Sequence, residues 1–264
     1  MINFLVILAV MMLSLGASPA LGQTSPKLWK LRQAVATNPQ DPQAHLALGL
    51  KYESLGKNHK ALREYKKVVQ LNPDDVKGLY SLGRLMATLG PPAPAIKVIK
   101  EAVKLDPKFA PARNLLAATY NKQGLTWMQQ GKLDDARQAL ESGLKTQGGP
   151  DETTSLLNNL GCLYVRQNHL DEAIGTFQDL LRRDPNVAQA HYNLALIYYA
   201  AGEYQLASQQ FYALKGVDPK MAGELGDYRF RIVTPLNYEP PVKTMLTFKG
   251  SPLLTQGAIP PEFR

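Results

Sequence analysis

Few side chains in this 264-residue chain have the type and spacing that chemistry requires. The four histidines, His45, His59, His169 and His191, never stand four residues apart. No helix face therefore offers the paired imidazoles of a helical zinc site. Cys162 is the single cysteine, so neither an intrachain disulfide nor a cysteine metal cluster can form. No histidine lies beside it in sequence to act as the base a thiol nucleophile needs. Asp134-Asp135 and Asp171-Glu172 pair carboxylates as acid–base catalysts do. Each pair, however, opens a stretch of helical periodicity, where the helix dipole favours negative charge. A glycine-rich phosphate loop following a strand is missing as well. The chain reads as a non-enzymatic protein, with no catalytic residue, cofactor, metal or small-molecule substrate expected.

Amides are the more informative polar residues. LLNNLGCLYV (156–165) sets Asn158 and Asn159 in an apolar run, and HYNLALIYYA (191–200) sets Asn193 where Asn159 stood, 34 residues on. Asparagine is a mediocre helix former and costly in a core, so its face must be defined by whatever element carries it. The formal charge of +8 would suit an anionic partner. Yet the basic residues are interspersed with acidic ones and form no run longer than two, so nucleic acid is not an expected partner.

The element is set by repetition. In a 34-residue frame beginning at Pro42, Leu48-Gly49 fall at positions 7 and 8, Tyr52 at 11, Gly56 at 15, Ala61 at 20, Tyr65 at 24 and Pro73 at 32. Frames beginning at Val76, Thr154 and Ala188 repeat most of these choices, among them Gly83, Gly161 and Ala195 at position 8. Small residues at 8 and 20 let two helices approach, large ones at 4, 7, 11 and 24 fill between them, and proline at 32 stops the second helix. Each hairpin leaves an apolar face that its neighbour covers. Residues 110–150 hold a longer unit whose second half stays in frame only if Gly131, Ala136 and Leu140 take positions 15, 20 and 24. Seven inserted residues, about two turns, keep the apolar stripe on its face, so the first helix is expected from about Ala110 to Gln130.

This pattern resembles the tetratricopeptide repeat family over most of residues 26–220. The resemblance implies an all-α, right-handed superhelical solenoid of about five helix-turn-helix hairpins: 42–75, 76–109, 110–150, 154–187 and 188–221. A capping helix (26–40) precedes them and a proline-rich irregular tail (222–264) follows. His45 and His191 fall at position 4, a packing place, and His59 and His169 in turns. The resemblance further implies that positions 2, 5, 6, 9, 12 and 13 of the first helices line a concave face. Lys77, Tyr80, Arg84, Asn121, Asn158, Asn159, Arg166, Tyr192 and Asn193 are the candidate partner-binding residues there, with Cys162 as a small groove residue. Amides can hold an extended peptide backbone while aromatics and aliphatics receive side chains. Leu46 and Leu50 stand where members that clamp acidic chaperone tails carry lysine and asparagine, so that mode is not expected.

Residues 1–22 read as a signal peptide or N-terminal membrane segment. Phe4 to Leu15 is apolar apart from Ser14 and is followed by the small-residue stretch Gly16-Ala-Ser-Pro-Ala-Leu-Gly22. The expected chain is exported, periplasmic or secreted, or membrane-anchored if the segment is kept. Its function is read as a scaffold binding a protein or extended peptide in a cell-envelope complex. Two alternatives stay open: an accessory subunit of an enzyme whose active site lies in another chain, and a groove regulated by the chain's own tail.

Overall fold

The computed structural model describes residues 26–228, and these form twelve helices with no strand among them. They are α1 (Pro26–Thr37), α2 (Pro42–Ser54), α3 (Asn58–Leu71), α4 (Val76–Leu89), α5 (Pro92–Leu105) and α6 (Ala110–Gln129), then α7 (Leu133–Leu144), α8 (Pro150–Arg166), α9 (Leu170–Arg183), α10 (Ala188–Ala200), α11 (Tyr204–Val217) and α12 (Pro219–Tyr228). The chain divides into two compact units at Gly78 and Leu79. Among the described residues no helix is long and apolar enough to cross a membrane. The expected leader at 1–22 lies outside the described residues.

In the first unit α1 lies against the hairpin of α2 and α3. Asp41 caps α2 with Oδ1, which accepts from the Gln43 backbone N–H at 2.9 Å, and Pro42 occupies a first turn that has no donor to lose. Tyr65 and Ala61 of α3 are fully buried. A side chain on Gly49 would come within 2.6 Å of the Tyr65 ring, so the ring packs directly on the Gly49 backbone.

The second unit repeats this contact. A Cβ on Gly161 of α8 would meet the Phe177 ring of α9 at 2.6 Å. In the long hairpin of α6 and α7 the small residue is Gly124, against Leu140, seven residues beyond the Ala117 that the 34-residue frame puts at position 8. The insertion thus lets α6 serve two partners, with Leu116 packed among Ile96 and Ile99 of α5 and Met128 among Ala136 and Leu140 of α7. Between the helices of three hairpins the chain turns through left-handed residues, Gly56, Gly131 and Gly202. Asn168 fills that place between α8 and α9 with φ 60°, a conformation asparagine tolerates better than other side chains.

One expectation is corrected. Irregular chain was expected from residue 222, but α12 runs through Tyr228 and buries Ala222 and Leu225 against Tyr192, Ala195 and Leu214. Pro219 begins a helix rather than only ending one: Asp218 Oδ1 accepts from the Met221 N–H at 2.9 Å, repeating the Asp41-Pro42 start of α2. The remainder of that segment, 229–264, lies outside the described residues.

Candidate interaction wall on the first helices

Position 4 shows how polar residues are used between these helices. The His45 ring is buried, with Nδ1 2.7 Å from Glu64 Oε2 and Nε2 3.1 Å from the Pro39 carbonyl. His191, in the second unit, holds Gln210 Oε1 at 2.8 Å and the Pro185 carbonyl at 3.0 Å. Both rings tie a hairpin's second helix to the chain that enters its first. His59 and His169 are exposed in turns. No three potential metal-ligating side chains gather among the described residues.

Cys162 departs from its expected place. It is 1% exposed within the core shared by α8 and its neighbours, so it lines no groove. Burial pushes its thiol up to about 12, and an un-ionised, enclosed thiol is neither nucleophile nor metal ligand.

The asparagines link consecutive first helices within the second unit. Asn159 Nδ2 of α8 donates to Asn121 Oδ1 of α6 at 2.7 Å. Asn193 Nδ2 of α10 donates to Asn158 Oδ1 of α8 at 3.5 Å, while Gln189 Nε2 reaches Asn193 Oδ1 at 3.4 Å. The amides form two rungs that join α6 to α8 and α8 to α10. Asn121, Asn158 and Asn159 remain half-buried.

Two candidates are corrected. Asn193 is 2% exposed and Tyr192 3%, so neither presents its side chain to a partner. Tyr192 lies among Leu214, Ala222 and Leu225, and the unforeseen α12 is what covers it. Arg166 is half-buried and its Nη1 donates to the Met128 carbonyl at 2.9 Å, closing the last turn of α6. Lys122 does the same for α4, its Nζ 2.6 Å from the Ala87 carbonyl and 3.3 Å from that of Gly90. Both stand at position 13, and that shared register is the sequence signal for this clamp. Asn114 accepts from the Gly149 N–H at 2.9 Å and so fixes the entry to α8. At the other end Tyr80 is half-buried, edge-on to Phe109 at 5.4 Å, and Arg84 lies 6.0 Å from the Tyr80 ring centre. Lys77 is exposed and belongs to the first unit.

Successive helix hairpins that bury small residues against large ones, with polar residues gathered along the first helices, define a helical repeat protein. Its hairpins are tetratricopeptide repeats: profiles of that repeat match residues 49–90, 115–185 and 158–222. The chain is 28% identical over 87 residues to photosystem I assembly protein Ycf3 of Synechococcus sp. (strain CC9605), covering 33% of this chain and 50% of that protein. It is 29% identical over 91 residues to the same protein of strain WH7803, covering 34% and 53%. The match spans about half the length of these relatives. Among solved structures it is similar to YrrB, described as a tetratricopeptide repeat protein with an unusual peptide-binding site, with a TM-score of 0.52 and 16% identity over 75% of this chain and 97% of that one. MamA is similar with a TM-score of 0.51 and 23% identity over 75% and 98%. These likenesses concern the fold alone.

Proposed function

We propose that the protein is a non-enzymatic scaffold that holds a protein or extended peptide along the first-helix wall of its second unit. The observation that carries this is the Asn121–Asn159 rung. It joins two consecutive first helices through residues that stay half-buried, and an amide pair so fixed can offer its remaining donors and acceptors to a partner. Tyr80 and Arg84 extend the wall with an aromatic face and a cation, and Asn158 adds a third amide. The matched curated relatives are assembly proteins, which agrees with a partner being held during assembly of a complex. Export to the cell envelope is part of the proposal and rests on the apolar stretch from Phe4 to Leu15.

Asn121→Ala with Asn159→Ala should weaken binding of a partner recovered from the native host by about thirtyfold, as two lost hydrogen bonds of roughly 1 kcal/mol each would. The melting temperature should fall by no more than a few degrees. Unchanged affinity with a large fall in melting temperature would mean that the rung serves the fold alone.

A further inference from the structure

The net charge is not spread along the chain. Residues 26–78 carry ten Lys and Arg against five Asp and Glu, whereas residues 79–228 carry fifteen of each. In the first unit the excess collects on α3. Arg63 and Lys66 are exposed and Lys60 and Lys67 half-buried, at the three- and four-residue steps that align side chains on one helix face. The one carboxylate of α3, Glu64, is held by His45 at 2.7 Å. No carboxylate lies within ion-pair distance of Arg63, Lys66 or Lys67 among the described residues.

Tyr52 of α2 joins this row to α1. Its ring lies 5.8 Å from the Arg32 guanidinium and 5.8 Å from Lys60 Nζ, and its hydroxyl accepts from Arg32 Nε at 3.0 Å. Arg32 and Lys60 therefore both lie beside the Tyr52 ring. One turn ahead of Arg32 on α1 stands Trp29, 58% exposed. In the 34-residue frame Trp29 and Arg63 share position 22, and Arg32 and Lys66 share position 25.

We infer that this face of the first unit docks on an anionic lipid surface. Rows of long cationic side chains are attracted to the negative potential of a bilayer and lay their aliphatic stems along it. The exposed Trp29, one turn from Arg32 on α1, has the ring type that suits the boundary between headgroup and acyl chain. A single-stranded nucleic-acid surface would instead interleave aromatic rings with the cations for base stacking. The one aromatic of α3, Tyr65, is wholly buried. The apolar stretch from Phe4 to Leu15 just ahead of α1 would bring the same unit to a membrane while it is attached.

The test is sedimentation of the full chain with vesicles of phosphatidylcholine alone or with one-third phosphatidylglycerol. The difference between the two is the readout, because an apolar leader would partition into both. The chain should bind the anionic vesicles at least about tenfold more tightly at low salt, and the difference should shrink as salt is raised. Arg63→Glu with Lys66→Glu should remove the difference, and Arg63→Gln with Lys66→Gln should reduce it, with helical circular dichroism unchanged in both. Lys215→Glu with Lys220→Glu, an equal change of net charge in the second unit, should leave it intact. Trp29→Ala should weaken vesicle binding about threefold. Equal binding to both vesicles, equal loss from the two charge-reversal pairs, or tighter binding to a DNA duplex than to anionic vesicles would overturn the inference.

Discussion

The contrast between Asn159 and Asn193 shows what burial does to one residue type in one register. Both sit at position 6 and both donate to an amide of the preceding first helix. Asn159 is half-buried, whereas Asn193 is closed off. Asn193→Ala should therefore cost about 1–2 kcal/mol in stability, since a buried hydrogen-bonded amide is lost. It should leave partner affinity unchanged, which thermal melting and a binding titration on one sample would establish. Cys162 supports a second residue-scale prediction. With the thiol pushed up to about 12 by burial, almost none of it is thiolate at pH 8. Alkylation by iodoacetamide should be negligible in the folded protein and complete in denaturant. Rapid labelling of the native chain would contradict the enclosed position.

Among the elements, the hairpins were legible because the side chains that make them are local and periodic. Gly49 against Tyr65 and Gly161 against Phe177 are small and large residues sixteen apart, a pairing visible in sequence and found as direct contact. The long α6 was legible too, because a two-turn insertion preserves the apolar face. The last helix is not legible from the repeat frame, in which proline at position 32 marks only the end of a second helix. The Asp218-Pro219 pair is also a start signal, and Ala222 and Leu225 that follow have helical spacing. What periodicity does not reveal is depth: Tyr192 occupies the same register as the half-exposed Tyr80, yet α12 covers it. Leu225→Ala should thus cost about 2–3 kcal/mol by opening a cavity beside Tyr192, measurable as a lower denaturant midpoint. A neutral substitution would mean that α12 is only loosely attached.

At the scale of the whole chain two properties are carried by different units. Charge excess and an exposed tryptophan belong to residues 26–78, and the amide rungs belong to the hairpins of the second unit. Length and composition alone hid this, because the chain-wide +8 combines +5 from residues 26–78 with zero from 79–228 and +3 from 229–264. Binding of a partner and attraction to an anionic surface should accordingly be separable by mutation. The double charge reversal on α3 should leave partner affinity unchanged, and the Asn121, Asn159 pair should leave vesicle binding unchanged.

The central claim is that a partner lies along the first helices and not on the second ones. A photo-crosslinking amino acid placed singly at Ala118 and Ser155, both exposed on first helices, or at Gln138 and Gln209, both exposed on second helices, tests it in the native host. Adducts of one discrete size should form from Ala118 and Ser155 and be lost in the Asn121→Ala, Asn159→Ala background. Adducts from Gln138 and Gln209 alone would place the partner on the opposite face and contradict the proposal.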